Sequence, residues 1–203
     1  RFVPDQLRVL PDPGLVEMVV HLNEYPTVIC GGFDQEFLKL PQEVLVTVMR
    51  HHQKYFSVID DRDEIQPYFL TVVNTQGDPD GKISQGHEKV LKARLEDAAF
   101  FWKTDRKEAL KDRVEQLKQV VFQEKLGSYH AKTVRIRKLC AELEKEEHLD
   151  TAALLCKGDL TTDMVRELPE LQGIMGGLYA RDEGYPEEVC RAIGEHYKPV
   201  SLE

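Results

Sequence analysis

The apolar positions of this chain change rhythm near residue 80. Before that point, short β-branched runs alternate with short stripes at three-and-four spacing. The stretch DPGLVEMVVHLNE (12–24) has Asp12 as a cap, Pro13 just inside and an apolar stripe behind, which predicts a helix. TVICGGF (27–33) predicts a short strand and a turn at Gly31-Gly32. PQEVLVTVMRHHQ (41–53) places Val44, Leu45, Val48 and Met49 on one helical face. KYFSVID (54–60) and IQPYFLTVVN (65–74) flank the polar DRDE turn and predict an antiparallel hairpin. TQGDPDG (75–81) is a turn-rich break and the expected domain boundary.

Beyond the break the three-and-four stripe dominates. A helix over 84–104 carries Val90, Leu91, Leu95, Ala98, Phe101 and Trp102 on that spacing. Further helices are predicted at 106–124, 129–148, 150–167, 171–181 and 186–197. Breaks are expected at Gly127, His148-Leu149-Asp150, Pro169 and Gly184-Tyr185-Pro186. The expected fold class is α+β and predominantly helical. A small mixed α/β domain over 1–80 precedes an all-helical domain over 81–201, and Leu202-Glu203 has the form of a cloning scar.

Composition narrows the class without naming a function. The chain has 203 residues, 41% hydrophobic and 31% charged, with no run near the ~20 apolar residues a bilayer span needs. It opens RFVPDQLRVL, without Met or a secretory apolar stretch, so a piece of a longer cytoplasmic protein with no membrane partner is expected. Cys30, Cys140, Cys156 and Cys190 are scattered with no C-x-x-C pair, which reads as reduced thiols. The net charge of −9 argues against general nucleic-acid binding, but it hides an asymmetry. Residues 88–138 carry 14 basic and 8 acidic side chains, against 7 and 13 in residues 1–87 and 6 and 15 in residues 139–203. Such a block can meet phosphates locally while acidic flanks limit indiscriminate binding; a solvated helical face with paired charges is the alternative.

Candidate chemistry is sparse. In RHHQKYFSV (50–58), His51 and His52 are adjacent, so on a helix they point about 100° apart and cannot share an ion. No metal site is expected there, and no G-x-S-x-G or Cys-His framework suggests a catalytic residue. Two readings of the stretch stand. Either His52 and Tyr55 cap a helix-to-strand junction, or His51, His52 and Lys54 donate to phosphate. No phosphate-cradling loop is present, so ATP binding and any other cofactor are unsupported within these residues. KVLKARLEDAAFFWKTDRKEALKDR (89–113) is basic, aromatic and helical. Trp102 falls on the apolar stripe and reads as core. Lys89, Lys92, Lys103, Arg106, Lys107 and Lys111 fall mostly on other faces and are candidate phosphate contacts.

The blocks HHQKYF, VLKARLEDAAFFWKTDR, VVFQEKLGSYHAKTVRI, LLCKGDLTTDMVRELPELQGIMGGLYA and EHYKP, taken in order, resemble the β subunit of bacterial glycyl-tRNA synthetase. The resemblance runs over residues 10–199 and implies an internal portion of a longer subunit. It implies a heteromeric glycine–tRNA ligase. In it the α subunit binds glycine and ATP, while the β subunit serves recognition of tRNA(Gly) and assembly. The basic block would then face tRNA, which is read largely through shape, phosphates and 2′-hydroxyls. The helical half is similar to an HD domain, a fold whose hydrolases bind metal through a His-Asp pair. Here Gly158-Asp159 stands at that position without the histidine, which implies a scaffold that has lost, or never used, phosphohydrolase chemistry. The rival readings are a degenerate metal-dependent phosphohydrolase and an assembly scaffold that makes no RNA contact.

Overall fold

The computed structural model describes residues 3–199; the expected scar at Leu202-Glu203 lies outside the described residues. The chain divides into two compact units between Phe100 and Phe101. The elements of the first are β1 (Arg8–Val9), α1 (Pro13–Leu22), β2 (Thr27–Gly32), α2 (Gln42–Thr47), β3 (Phe56–Ile59) and β4 (Ile65–Val73). They are followed by α3 (Lys82–Asp105), whose residues up to Phe100 belong to this unit. The loop at 75–81 holds Gly77 and Gly81 at positive φ and leads directly into α3. There Asp78 accepts hydrogen bonds from the Ile83 and Ser84 amides at 3.0 and 2.8 Å and closes the helix start.

The four strands form an antiparallel sheet in the order β1-β3-β4-β2. The predicted hairpin is β3–β4, with Ser57 opposite Phe69 and a bulge before Ile59 pairs with Ile65. Gly31 lies opposite Phe69, and a Cβ on Gly31 would stand 2.4 Å from the Phe69 ring. Only glycine lets that ring lie flat over the strand, stacked at 4.4 Å on Tyr55. The hydrophobic face of the α2 segment supplies Val44, Leu45, Val48 and Met49, all buried, and α3 adds Leu91, Leu95 and Ala98.

The second unit contains α4 (Leu110–Gln116), β5 (Val121–Gln123), β6 (Gly127–Ser128), α5 (Tyr129–Leu143) and α6 (Glu147–Leu155). It continues with α7 (Asp163–Glu167), α8 (Ile174–Asp182) and α9 (Glu187–Glu195). Among the described residues it is helical apart from one antiparallel ribbon, β5–β6, which corrects the helix predicted over 106–124. The apolar stripe of α4 ends at Leu117. Val120, Val121 and Phe122 then favour extended backbone, and Gly127 at φ 81° lets the chain turn back. The helix predicted over 150–167 is two helices. Between them, Gly158–Thr161 forms a short 3₁₀ turn, and Thr162 caps α7 through the Val165 amide at 3.2 Å. α5 stops at Leu143, earlier than predicted, because Glu146 takes the His148 and Leu149 amides and starts α6. α8 and α9 meet at backbone distance: a Cβ on Gly177 would lie 2.8 Å from the Cys190 carbonyl and 3.1 Å from Gly194 Cα.

Candidate functional site

The RHHQKYF stretch is a helix exit. α2 runs into a π-helical turn over Val48–His52, and Lys54 at φ 57° turns the chain into β3. Tyr55 donates its amide to Met49 O at 2.9 Å, Lys54 donates its own to Arg50 O at 3.2 Å, and the Lys54 amine folds back onto His51 O at 3.0 Å. These three bonds satisfy carbonyls that a helix end leaves open. Arg50 spans from His51 Nε2 (3.2 Å) to Asp12 (2.6 Å), the cap of α1. Burial works against the charge on Asp12, but the Arg50 guanidinium and the Leu15 amide outweigh it and hold the carboxyl below its ordinary value. His51 and His52 are half-buried. The Tyr55 hydroxyl shares a 2.7 Å hydrogen bond with His87 Nδ1 on α3. Burial pushes the Tyr55 phenol up to about 12 and lowers the His87 pKa.

Of the basic candidates, Lys89 and Lys92 line an open groove of about 520 Å³ beside Gly32, Asp34, Pro67 and Glu88. Glu88 is tied to the Gly32 amide at 2.9 Å. Lys92 lies 3.2 Å from Asp34, and the hydrogen bond to that carboxylate raises its pKa. Lys89 is exposed.

The remaining four candidates belong to the second unit. Arg106 forks onto both oxygens of Asp182, with Nε 2.6 Å from Oδ2, and its guanidinium lies 5.1 Å over the Trp102 ring. Trp102 is half-buried and stacks at 5.2 Å on Tyr179, so it serves packing as the stripe predicts. Lys103, Lys107 and Lys111 differ from Arg106. All three are exposed, and no ion pair forms on them among the described residues. The structure thus separates the basic block into spoken-for charges (Lys92, Arg106, Arg113) and open ones.

Sequence reading missed the buried polar centre of this unit. Asp105, 2% exposed, accepts from the Asp163 and Met164 amides at 3.0 and 2.9 Å and from the Tyr179 hydroxyl at 3.0 Å. Arg113, itself buried, pairs with it at 3.3 Å and also reaches Thr161 O at 3.2 Å. No local motif marks Asp105; the signal available was only a carboxylate closing an otherwise amphipathic helix. Asp159 is the other buried carboxylate. Its Oδ2 accepts from the Gly173 and Gly176 amides at 2.6 and 3.1 Å, bracing the start of α8, while Oδ1 has no partner among the described residues. Burial pushes its carboxyl up to about 6, against the lowering effect of the two amides and of Lys157. Gly158 beside it is pinned too, since a Cβ there would meet Leu110 O at 3.3 Å. Among the described residues no group of three or more His, Cys, Asp or Glu side chains is gathered to hold a metal, and no helix is long and apolar enough to cross a membrane.

A family model described as glycyl-tRNA synthetase beta subunit matches residues 3–203. The chain is 48% identical over 204 residues to a glycine–tRNA ligase beta subunit from Acidobacterium capsulatum, covering 95% of this chain and 29% of that protein. It is 48% identical over 197 residues to the one from Geotalea daltonii (94% and 29%) and 47% over 198 residues to the one from Geobacter sulfurreducens (95% and 29%). The chain therefore spans about 29% of the length of the curated relatives it matches.

Proposed function

The chain belongs to the glycyl-tRNA synthetase beta subunit family, and on that premise we propose that it is a non-catalytic segment of a cytoplasmic, heteromeric glycine–tRNA ligase that helps to hold tRNA(Gly). The catalytic partner, an α subunit that uses ATP and glycine, carries out adenylate chemistry; this segment contributes positioning. One observation carries the reading. Lys103, Lys107 and Lys111 follow one another from the end of α3 into α4, exposed and without carboxylate partners among the described residues, in an otherwise acidic chain. Lysines left open in this way suit phosphate contacts, whereas Lys92 and Arg106 are already answered by Asp34 and Asp182.

On the same reading the second unit is an HD-like scaffold whose aspartate has been given a structural task. Asp159 is fully buried and bonded to two backbone amides, so it is not presented to a divalent ion, which speaks against the phosphohydrolase alternative. The test is tRNA(Gly) binding by the assembled α/β enzyme over a salt series. A Lys103→Glu, Lys107→Glu, Lys111→Glu variant should bind more weakly, with a salt slope smaller by roughly 2 to 3. Unchanged affinity and slope, in an enzyme that still assembles, would reject the RNA contact and favour the scaffold.

A further inference from the structure

Within the second unit, α5, α6 and α9 enclose a cleft of about 450 Å³ that the proposed function does not use. Ile136, Leu149, Ala153 and Ala192 form apolar walls. The polar part is cationic. Lys157, only 3% exposed, donates to His196 Nε2 at 2.7 Å. His196 Nδ1 donates in turn to Ile193 O at 2.6 Å, which leaves Nε2 as the acceptor for the lysine. Burial, with the nearby charges of Lys157 and Lys132, disfavours protonation of that ring.

Neither lysine at this cleft has a carboxylate within ion-pair reach among the described residues. The Lys157 ammonium lies 3.6 Å over the Tyr197 ring, and that of Lys132 lies 3.9 Å over Phe122. Asp159 acts on Lys157 at a distance, but its hydrogen bonds go to Gly173 and Gly176. Cys140 and Cys156 complete the lining as thiols, and burial pushes Cys156 up to about 11, so it brings no negative charge. An ammonium taken out of water is ordinarily matched by a carboxylate or phosphate. Here the buried Lys157 ammonium borders a largely apolar cleft of small-ligand size with that match missing among the described residues, and the half-exposed Lys132 lines the same cleft.

We propose that this cleft is a binding site for a small amphiphilic carboxylate, its head on Lys157 and Lys132 and its apolar body against Ile136, Leu149 and Ala153. Calorimetric titration of the full-length chain in its native assembly tests this, with octanoate as probe and octanol and octylamine as controls. Saturable octanoate binding is expected, at least tenfold tighter than octanol, with octylamine excluded. Lys157→Met should weaken octanoate at least tenfold while leaving octanol unchanged. Should that variant fail to fold, Lys132→Glu decides, because Lys132 lies at the partly exposed rim; a tenfold loss is expected. Burial lowers Lys157 to about 8, so octanoate affinity should also decline as pH rises past that value. The proposal is overturned if octanoate does not bind saturably, if octanol binds equally well, or if the folded lysine variants retain wild-type affinity.

Discussion

Asp105 and Asp159 do similar mechanical work at two places in the second unit, and their surroundings could hardly differ more. Each carboxylate is buried, and each takes backbone amides from the start of a helix: Asp105 at α7, Asp159 at α8. Around Asp105 the desolvated charge is matched by a buried guanidinium and a phenol. Around Asp159, among the described residues, the direct partners of the carboxyl are two amides on one oxygen, and the other oxygen has none. The lesson is that geometry and electrostatics are separable. Amides at a helix start are enough to orient a carboxylate, but a counter-charge decides whether ionising it there stabilises or destabilises the fold.

The largest expected effect breaks the matched centre. Arg113→Met leaves the Asp105 carboxyl buried without its cationic partner, at a cost of about 3–5 kcal/mol. Trp102, the chain's single tryptophan, stacks on Tyr179 and so reports unfolding of this unit by fluorescence. A loss under about 1 kcal/mol would show that the guanidinium is not what stabilises the charge.

The orphaned centre should reveal itself through pH. Asp159 has a folded pKa of about 6, raised from 3.8 by burial, so the folded state binds its proton more tightly than the unfolded state does. Stability from this group is therefore complete below about pH 4 and is lost as pH rises toward 6. With 1.36 kcal/mol per unit the total is about 3 kcal/mol. Asp159→Asn should flatten that window in denaturation curves taken from pH 4 to 7. An unchanged slope would place the titration elsewhere.

Tyr179→Phe removes one hydrogen bond to a charged acceptor and should cost about 2 kcal/mol, read in the same way. The smallest effect is at the surface. Lys107→Glu touches neither centre and should change stability by less than about 0.5 kcal/mol, which makes any change in tRNA affinity attributable to the charge itself.

The readable parts of the chain were those in which a few neighbouring residues decide. Asp12 and Pro13 set the start of α1, the alternation around DRDE gave the β3–β4 hairpin, and Leu91, Leu95 and Ala98 gave the buried stripe of α3. The misread stretches were those whose local preference is divided. Residues 106–124 begin as a helix and end as β5, and 150–167 carry a helical stripe interrupted by Gly158–Thr161. For the candidate site, the positions of the lysines were legible, but their availability was not. Whether a lysine or arginine is open or paired depends on carboxylates such as Asp34 and Asp182, dozens of residues away in the chain.

By itself the sequence determined the family, the mixed first unit, the helical character of the second and the charge asymmetry, because each rests on residue identity or on short-range periodicity. Tertiary structure decided which charges are left over. Asp105 meets Arg113 and Tyr179, one Asp159 oxygen has no partner among the described residues, and Lys157 faces an apolar cleft with an imidazole for company. The reason is electrostatic. The state of a charge is set by the water it loses and the partners that come within a few ångströms, and both exist only once distant parts of the chain have packed together.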